Sequence, residues 1–153
     1  AGLRKLLDTL REAQSARRAR FQAPVLREMA PMLEALYGTS EIRFDDEYTL
    51  SALERPVGAF GFDVLSRGTQ EQLALLTRLA FAKLAARQGQ PAPVILDDAL
   101  VFADDARLEA LFDIIRQVAD VTQVIVFSCH ERLFGRLGGH ALEPKPWPEN
   151  ASS

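Results

Sequence analysis

Apolar positions recur at helical spacing from the start of the chain. Leu3, Leu6, Leu7 and Leu10 predict an amphipathic helix over the first ~20 residues. The rhythm stops at Arg17, so this is at most the end of a coiled coil, since a sustained one needs several heptads. A second helical stretch is expected from Pro24, a residue suited to a first turn, through Val25, Met29, Met32, Leu33 and Leu36. Pro31 lies inside that pattern and should kink or split it, and Gly38 should end it. Residues 41–50 (EIRFDDEYTL) and 57–65 (VGAFGFDVL) alternate apolar and polar positions around Arg55-Pro56, as two strands of a hairpin do. Residues 69–87 predict a strong helix, with Leu73, Leu76, Ala80 and Leu84 on one face and Gly89 closing it.

The second half changes pattern. Residues 93–96 (PVIL) form a short, wholly apolar run, the signature of a buried strand. A helix at about 105–119 follows, with Leu108, Leu111, Phe112, Ile115 and Val118 inward, and then a second apolar run, Val124 to Phe127. Strand, helix, strand in that order predicts a right-handed βαβ unit with parallel strands, an α/β fold. The tail from Lys145 has no periodicity and reads as disordered. No internal repeat is present.

Composition narrows the class. The chain has 153 residues, 48% hydrophobic and 25% charged, as an ordinary globular domain does. No uncharged apolar run approaches the ~18–20 residues a bilayer span needs. Arg4, Lys5 and Asp8 interrupt the first apolar stretch and exclude a signal-peptide pattern. The single cysteine, Cys129, excludes an internal disulfide framework and a multi-cysteine zinc site, and suits a reducing cytoplasm. Residues 1–36 carry seven basic and four acidic side chains, a net of +3, on a chain whose total is −3. A basic arm on an acidic body can meet nucleic-acid phosphates or can simply be a solvated helix face.

Four places can carry chemistry. Leu65-Ser66-Arg67-Gly68-Thr69-Gln70-Glu71-Gln72 stands at a strand-to-helix junction, where open backbone N–H groups suit a phosphate. The competing reading is a plain cap, with Ser66 or Thr69 at the N-cap and Gln72 closing a capping box. Asp97 and Asp98 end the run Val94-Ile95-Leu96, at the strand end where open α/β sheets bind ligands. One of the two can hold Mg²⁺ and the other can orient or deprotonate a water, or both can cap the next turn. Asp104-Asp105 opens a helix, where an acid is favoured by the helix dipole. His130 follows the second apolar run and is either structural or chemical.

Taken in order, the four resemble the C-terminal half of an ABC-type ATPase head of the structural-maintenance-of-chromosomes (SMC), RecN and RecF kind. LSRGTQEQ looks like the ABC signature motif, VILDD like Walker B, the stretch to Asp104 like the D-loop, and SCHE like the switch-histidine loop. The similarity spans about residues 37–145. It implies a P-loop NTPase-like lobe there, preceded by a helical arm over 1–36 that returns from a coiled coil, and followed by a tail over 146–153. It also implies the cofactors ATP and Mg²⁺ and an ATP sandwich between two heads. In that sandwich Ser66 and Gly68, with Arg67 and Thr69 beside them, face the γ-phosphate held by the other head. Asp97 would hold Mg²⁺, Asp98 would be the general base, Asp104 the D-loop contact, and His130 the γ-phosphate sensor.

Three departures qualify the resemblance. Arg67 and Thr69 replace the commonest signature glycine and glutamine. Asp98 is shorter than the usual glutamate by about one C–C bond, ~1.5 Å. No G-x-x-x-x-G-K-S/T occurs, and Lys5, Lys83 and Lys145 follow no glycine-rich turn. The expectation is therefore a fragment-length C-terminal lobe, starting at Ala1, that is inert without its own N-terminal Walker A lobe. Its other expected partner is a second head, DNA is a candidate partner, and no membrane is involved. Two alternatives remain: a non-catalytic dimerisation module on the same lobe, and a metal-dependent hydrolase built on Asp97, Asp98, Asp104, Asp105 and His130.

Overall fold

A computed structural model describes residues 2–45, 47, 49–97 and 105–143. The elements are α1 (Gly2–Tyr37), β1 (Glu41–Phe44), β2 (Leu50–Arg55), β3 (Gly58–Gly61), a 3-10 turn (Phe62–Val64), α2 (Arg67–Arg87), β4 (Val94–Asp97), α3 (Asp105–Ala119), β5 (Val124–Phe127) and α4 (Glu131–Phe134).

α1 is one continuous helix of 36 residues with Pro24 and Pro31 inside it. This corrects the expectation of two helices separated at Pro24. A proline removes one helical hydrogen bond and crowds the preceding turn, at a cost of about 3 kcal/mol. Burial of the stripe Val25, Met29, Met32, Leu33 and Leu36 offsets that cost. Pro31 sits on the exposed side, where water can satisfy the freed carbonyl. Gly38 ends the helix at φ +71°, its N–H donating to the Glu34 carbonyl at 3.0 Å.

β1, β2 and β3 form an antiparallel meander, with Ile42 opposite Leu53 and Leu53 opposite Phe60. The turn near Arg55-Pro56 stands as expected, but residues 41–50 are not one strand. Asp45 breaks the run. Its carboxylate accepts from the Glu47 and Thr49 N–H groups at 2.8 and 2.9 Å, a side-chain mimic of a backbone turn. Residues 50–55 then become the central strand.

β4 and β5 pair in parallel, Val94 opposite Val124 through Asp97 opposite Phe127. Between them α3 buries Leu108, Leu111, Phe112, Ile114, Ile115 and Val118. Among the described residues the two strands are not covered on both sides, as wholly apolar strands usually are. Val94 and Leu96 are buried, whereas Ile95 is 56% exposed and Phe127 54% exposed. The core lies between α1, α2, α3 and the inner sides of both sheets, around Met29, Leu53, Leu76, Leu96 and Phe112. The tail over 146–153 lies outside the described residues.

Candidate functional site

The start of α2 is built by three polar side chains. Leu65 and Ser66 are extended, and Ser66 caps the helix. Its Oγ accepts the Thr69 N–H at 3.2 Å and lies 2.9 Å from the Thr69 hydroxyl. Gln70 steadies the approach from behind. Its Nε2 donates to the Phe62 carbonyl at 2.7 Å and the Leu65 carbonyl at 3.2 Å. Ser66 is therefore the cap. The expected capping-box role of Gln72 is replaced by another bond, in which its Oε1 accepts from the Tyr37 hydroxyl at 2.6 Å.

Thr69 faces inward and is buried, while Ser66 and Arg67 are exposed and Gly68 is half-buried. The Arg67 and Gly68 N–H groups belong to the first turn, where a helix supplies no acceptors of its own. No acid occupies that turn. Arg67 adds a cation to the positive end of the helix dipole, an unfavourable place for it. Its Nε is held by Glu71 Oε1 one turn along, at 3.1 Å.

The second group of residues gathers at the C-terminal edge of the parallel pair. Asp97 ends β4, is exposed, and stands opposite Phe127. His130 comes three residues after Phe127 and is also exposed. Its N–H donates to Ser128 Oγ at 3.0 Å, and its carbonyl, just before α4, accepts from the N–H of Phe134, the last residue of that helix. Asp97 and His130 thus leave the sheet at the same end. Asp105 opens α3, as expected. Asp98 and Asp104 lie outside the described residues. Among the described residues no three His, Cys, Asp or Glu side chains form a group able to hold a metal ion.

Comparisons with known proteins bear on this arrangement. No protein-family model matches the chain. An uncharacterised protein of Mycobacterium tuberculosis (strain H37Rv) is 29% identical over 142 residues, which is 92% of this chain and 16% of that protein. The DNA double-strand break repair Rad50 ATPase of Methanocaldococcus jannaschii is 30% identical over 121 residues, 74% of this chain and 12% of its own length. Among solved structures, one from a study of ATP-driven dimerisation and DNA-stimulated activation of SMC ATPases superposes with a TM-score of 0.60. It is 18% identical and covers 78% of this chain and 75% of that one. The SMC head domain from Thermotoga maritima gives 0.55 at 17% identity, over 80% of this chain and 44% of that one. The fold is that of an SMC ATPase head. The chain spans about a sixth or less of the length of the curated relatives it matches. Among the described residues no helix is long and apolar enough to cross a membrane.

Two features of this head fold escape a reading of motifs. Glu28 of α1 is buried and accepts from Arg87 Nη1 of α2 at 2.6 Å, with Lys83 Nζ at 3.8 Å. Tyr37, the last residue of α1, has the guanidinium groups of Arg55 and Arg107 over its ring, 5.1 and 5.6 Å from the centroid. Burial raises the pKa of its hydroxyl above the ordinary value, and the two arginines oppose part of that rise. A tyrosine just before a helix-ending glycine was the one available signal for the latter.

Proposed function

We propose that this chain supplies the C-terminal lobe of an SMC-like ATPase head, active only when joined to a lobe carrying the Walker A loop. The observation that carries the reading is the uncovered parallel pair. Parallel strands occur almost only with both faces covered and with further strands beside them. Here, among the described residues, β4 and β5 pair only with each other, and Ile95 and Phe127 expose one apolar face. A complementary lobe that covers this face would also bring a phosphate-binding loop to the strand ends holding Asp97 and His130.

In this reading two half-sites lie on one chain. The α2 start faces ATP held by a second head through Ser66, Arg67 and Gly68, with the buried Thr69 bracing Ser66 from behind, and the N–H groups and cation of that first turn meet the γ-phosphate. The sheet end serves the chain's own nucleotide. Asp97 fits Mg²⁺ there, because that ion keeps several waters and takes one or two carboxylates plus phosphate oxygens. Mg²⁺, when bound, would neutralise charge on the phosphates. Asp98 would orient and deprotonate the attacking water, His130 would contact the γ-phosphate, and Asp104 would reach across the head dimer. Catalysis then rests mainly on positioning and charge stabilisation.

The exposed leucines of α1, Leu3, Leu6, Leu7 and Leu10, support a coiled-coil arm packed on a second helix. The named activity of the Rad50 relative, with the basic arm, supports a role in DNA repair, recombination or chromosome maintenance. Lysine at both Ile95 and Phe127 tests the lobe contact. Full burial of an apolar side chain is worth about 1.5–3 kcal/mol and about half of each surface here is still open, so association with the Walker A lobe should weaken about tenfold to a hundredfold. Unchanged association would overturn the reading.

A further inference from the structure

Tyr37 is the meeting point of four elements. It ends α1, its hydroxyl donates to Gln72 of α2 at 2.6 Å, and Arg55 of β2 and Arg107 of α3 lie over its ring. Gln72 lies in the second turn of α2, three residues after Thr69, and Arg107 is the third residue of α3. One side chain therefore touches the second turn of α2 and the opening turn of α3. The Arg55 Nε is buried with no hydrogen-bond partner among the described residues. A planar, weakly hydrated guanidinium tolerates that when stacked on an aromatic ring. The hydroxyl serves the α2 contact and the ring serves the two arginines.

We infer that Tyr37 is a positioning residue that fixes the N-terminal ends of α2 and α3 relative to each other and to the root of α1. Its hydroxyl sets α2 and its ring sets α3. The functional consequence rests on the proposed reading of Ser66, Arg67 and Gly68 as nucleotide-facing. A shift of one start against the other would then misalign the paired heads without touching a nucleotide-contacting side chain.

Amide hydrogen exchange on the 153-residue chain tests this without nucleotide. Tyr37→Phe removes the hydroxyl alone and should speed exchange of the Gln70 to Leu73 amides about fivefold, the factor carried by one ordinary hydrogen bond. The far end of α2, Leu79 to Lys83, and the α3 amides Glu109 to Leu111 should keep their rates. Tyr37→Leu should loosen both helix starts. Gln72→Glu, which keeps an acceptor, should retain the slow exchange that Gln72→Leu loses. Uniform acceleration along α2, or none at all in Tyr37→Phe, would overturn the inference, and that variant decides even where Tyr37→Leu fails to fold. In the complete head, Tyr37→Phe should lower kcat for ATP with KM unchanged. A head whose turnover ignores both Tyr37→Phe and Ser66 substitution, while the exchange pattern holds, would sink the nucleotide reading and leave the positioning role standing.

Discussion

Replacing Glu28 by alanine removes the charged clamp between the arm and α2. Only 6% of Glu28 is exposed, and its two cationic partners differ. The Arg87 side chain is 62% exposed and can rehydrate when its carboxylate is lost. That of Lys83 is 18% exposed and would be left with its charge poorly solvated. Breaking a fully buried ion pair costs about 3–5 kcal/mol. With one partner open to water the cost here should be about 2–3 kcal/mol. For a urea slope of about 2 kcal/mol per molar, the midpoint should fall by roughly 1–1.5 M with the slope unchanged. Removing the stranded lysine as well, in Glu28→Met/Lys83→Met, should restore stability to within about 1 kcal/mol, because apolar replacements of buried pairs are often neutral. Equilibrium urea unfolding followed by circular dichroism measures both. A midpoint that does not move in Glu28→Ala, or a double variant no better than the single, would refute the reasoning.

Ser66 separates capping from phosphate contact. Ser66→Ala should cost about 1 kcal/mol through the lost cap, whereas Ser66→Asp keeps the cap and suits the helix dipole. The aspartate variant should therefore unfold like the wild type yet lose ATP turnover in the complete head by repelling the γ-phosphate; full turnover would contradict the role given to this turn. The Tyr37 hydroxyl predicts a pH effect. The unfolded chain gives up this proton near the ordinary value of 10.0 while the folded chain holds it to higher pH. Stability contributed by Tyr37 is thus present below pH 10 and is lost as pH rises through the folded value. Urea midpoints between pH 9 and 11.5 should fall less steeply in Tyr37→Phe, and identical slopes would contradict the burial argument.

The parts of this fold legible in the sequence are those set by local pattern. β5 and α3 fall where their apolar spacing places them, because a four-residue apolar run and a helical stripe each have one economical solution. The sequence points to a break in α1 at Pro24 because proline's local penalty is visible there, whereas the distant burial that offsets it is not. Residues 41–50 read as one strand because Asp45 looks like one polar position in an alternating pattern, and its turn-forming bonds show only in three dimensions. At the α2 start the residue types were legible and their division of labour was not. Ser66 caps, Thr69 turns inward, and Gln72 leaves the expected capping box for Tyr37. The Tyr37 cluster draws on residues from positions 37 to 107, and no periodicity links them. The exposed outer face of β4 and β5 was illegible for the opposite reason. An apolar strand reads the same whether its cover lies in the same chain or in another.

The apolar face that β4 and β5 expose among the described residues leads to the central proposal, that this chain holds half of an ATPase site. ATP turnover should be measured for the 153-residue chain alone, for the chain combined with its Walker A lobe, and for that combination carrying Asp98→Asn. The account predicts no turnover alone, turnover in the combination, and retained ATP binding with turnover reduced about 10²–10⁴-fold in the Asp98 variant. Robust hydrolysis by the isolated chain would contradict it, and a combined head that binds ATP without turnover would favour a dimerisation module instead.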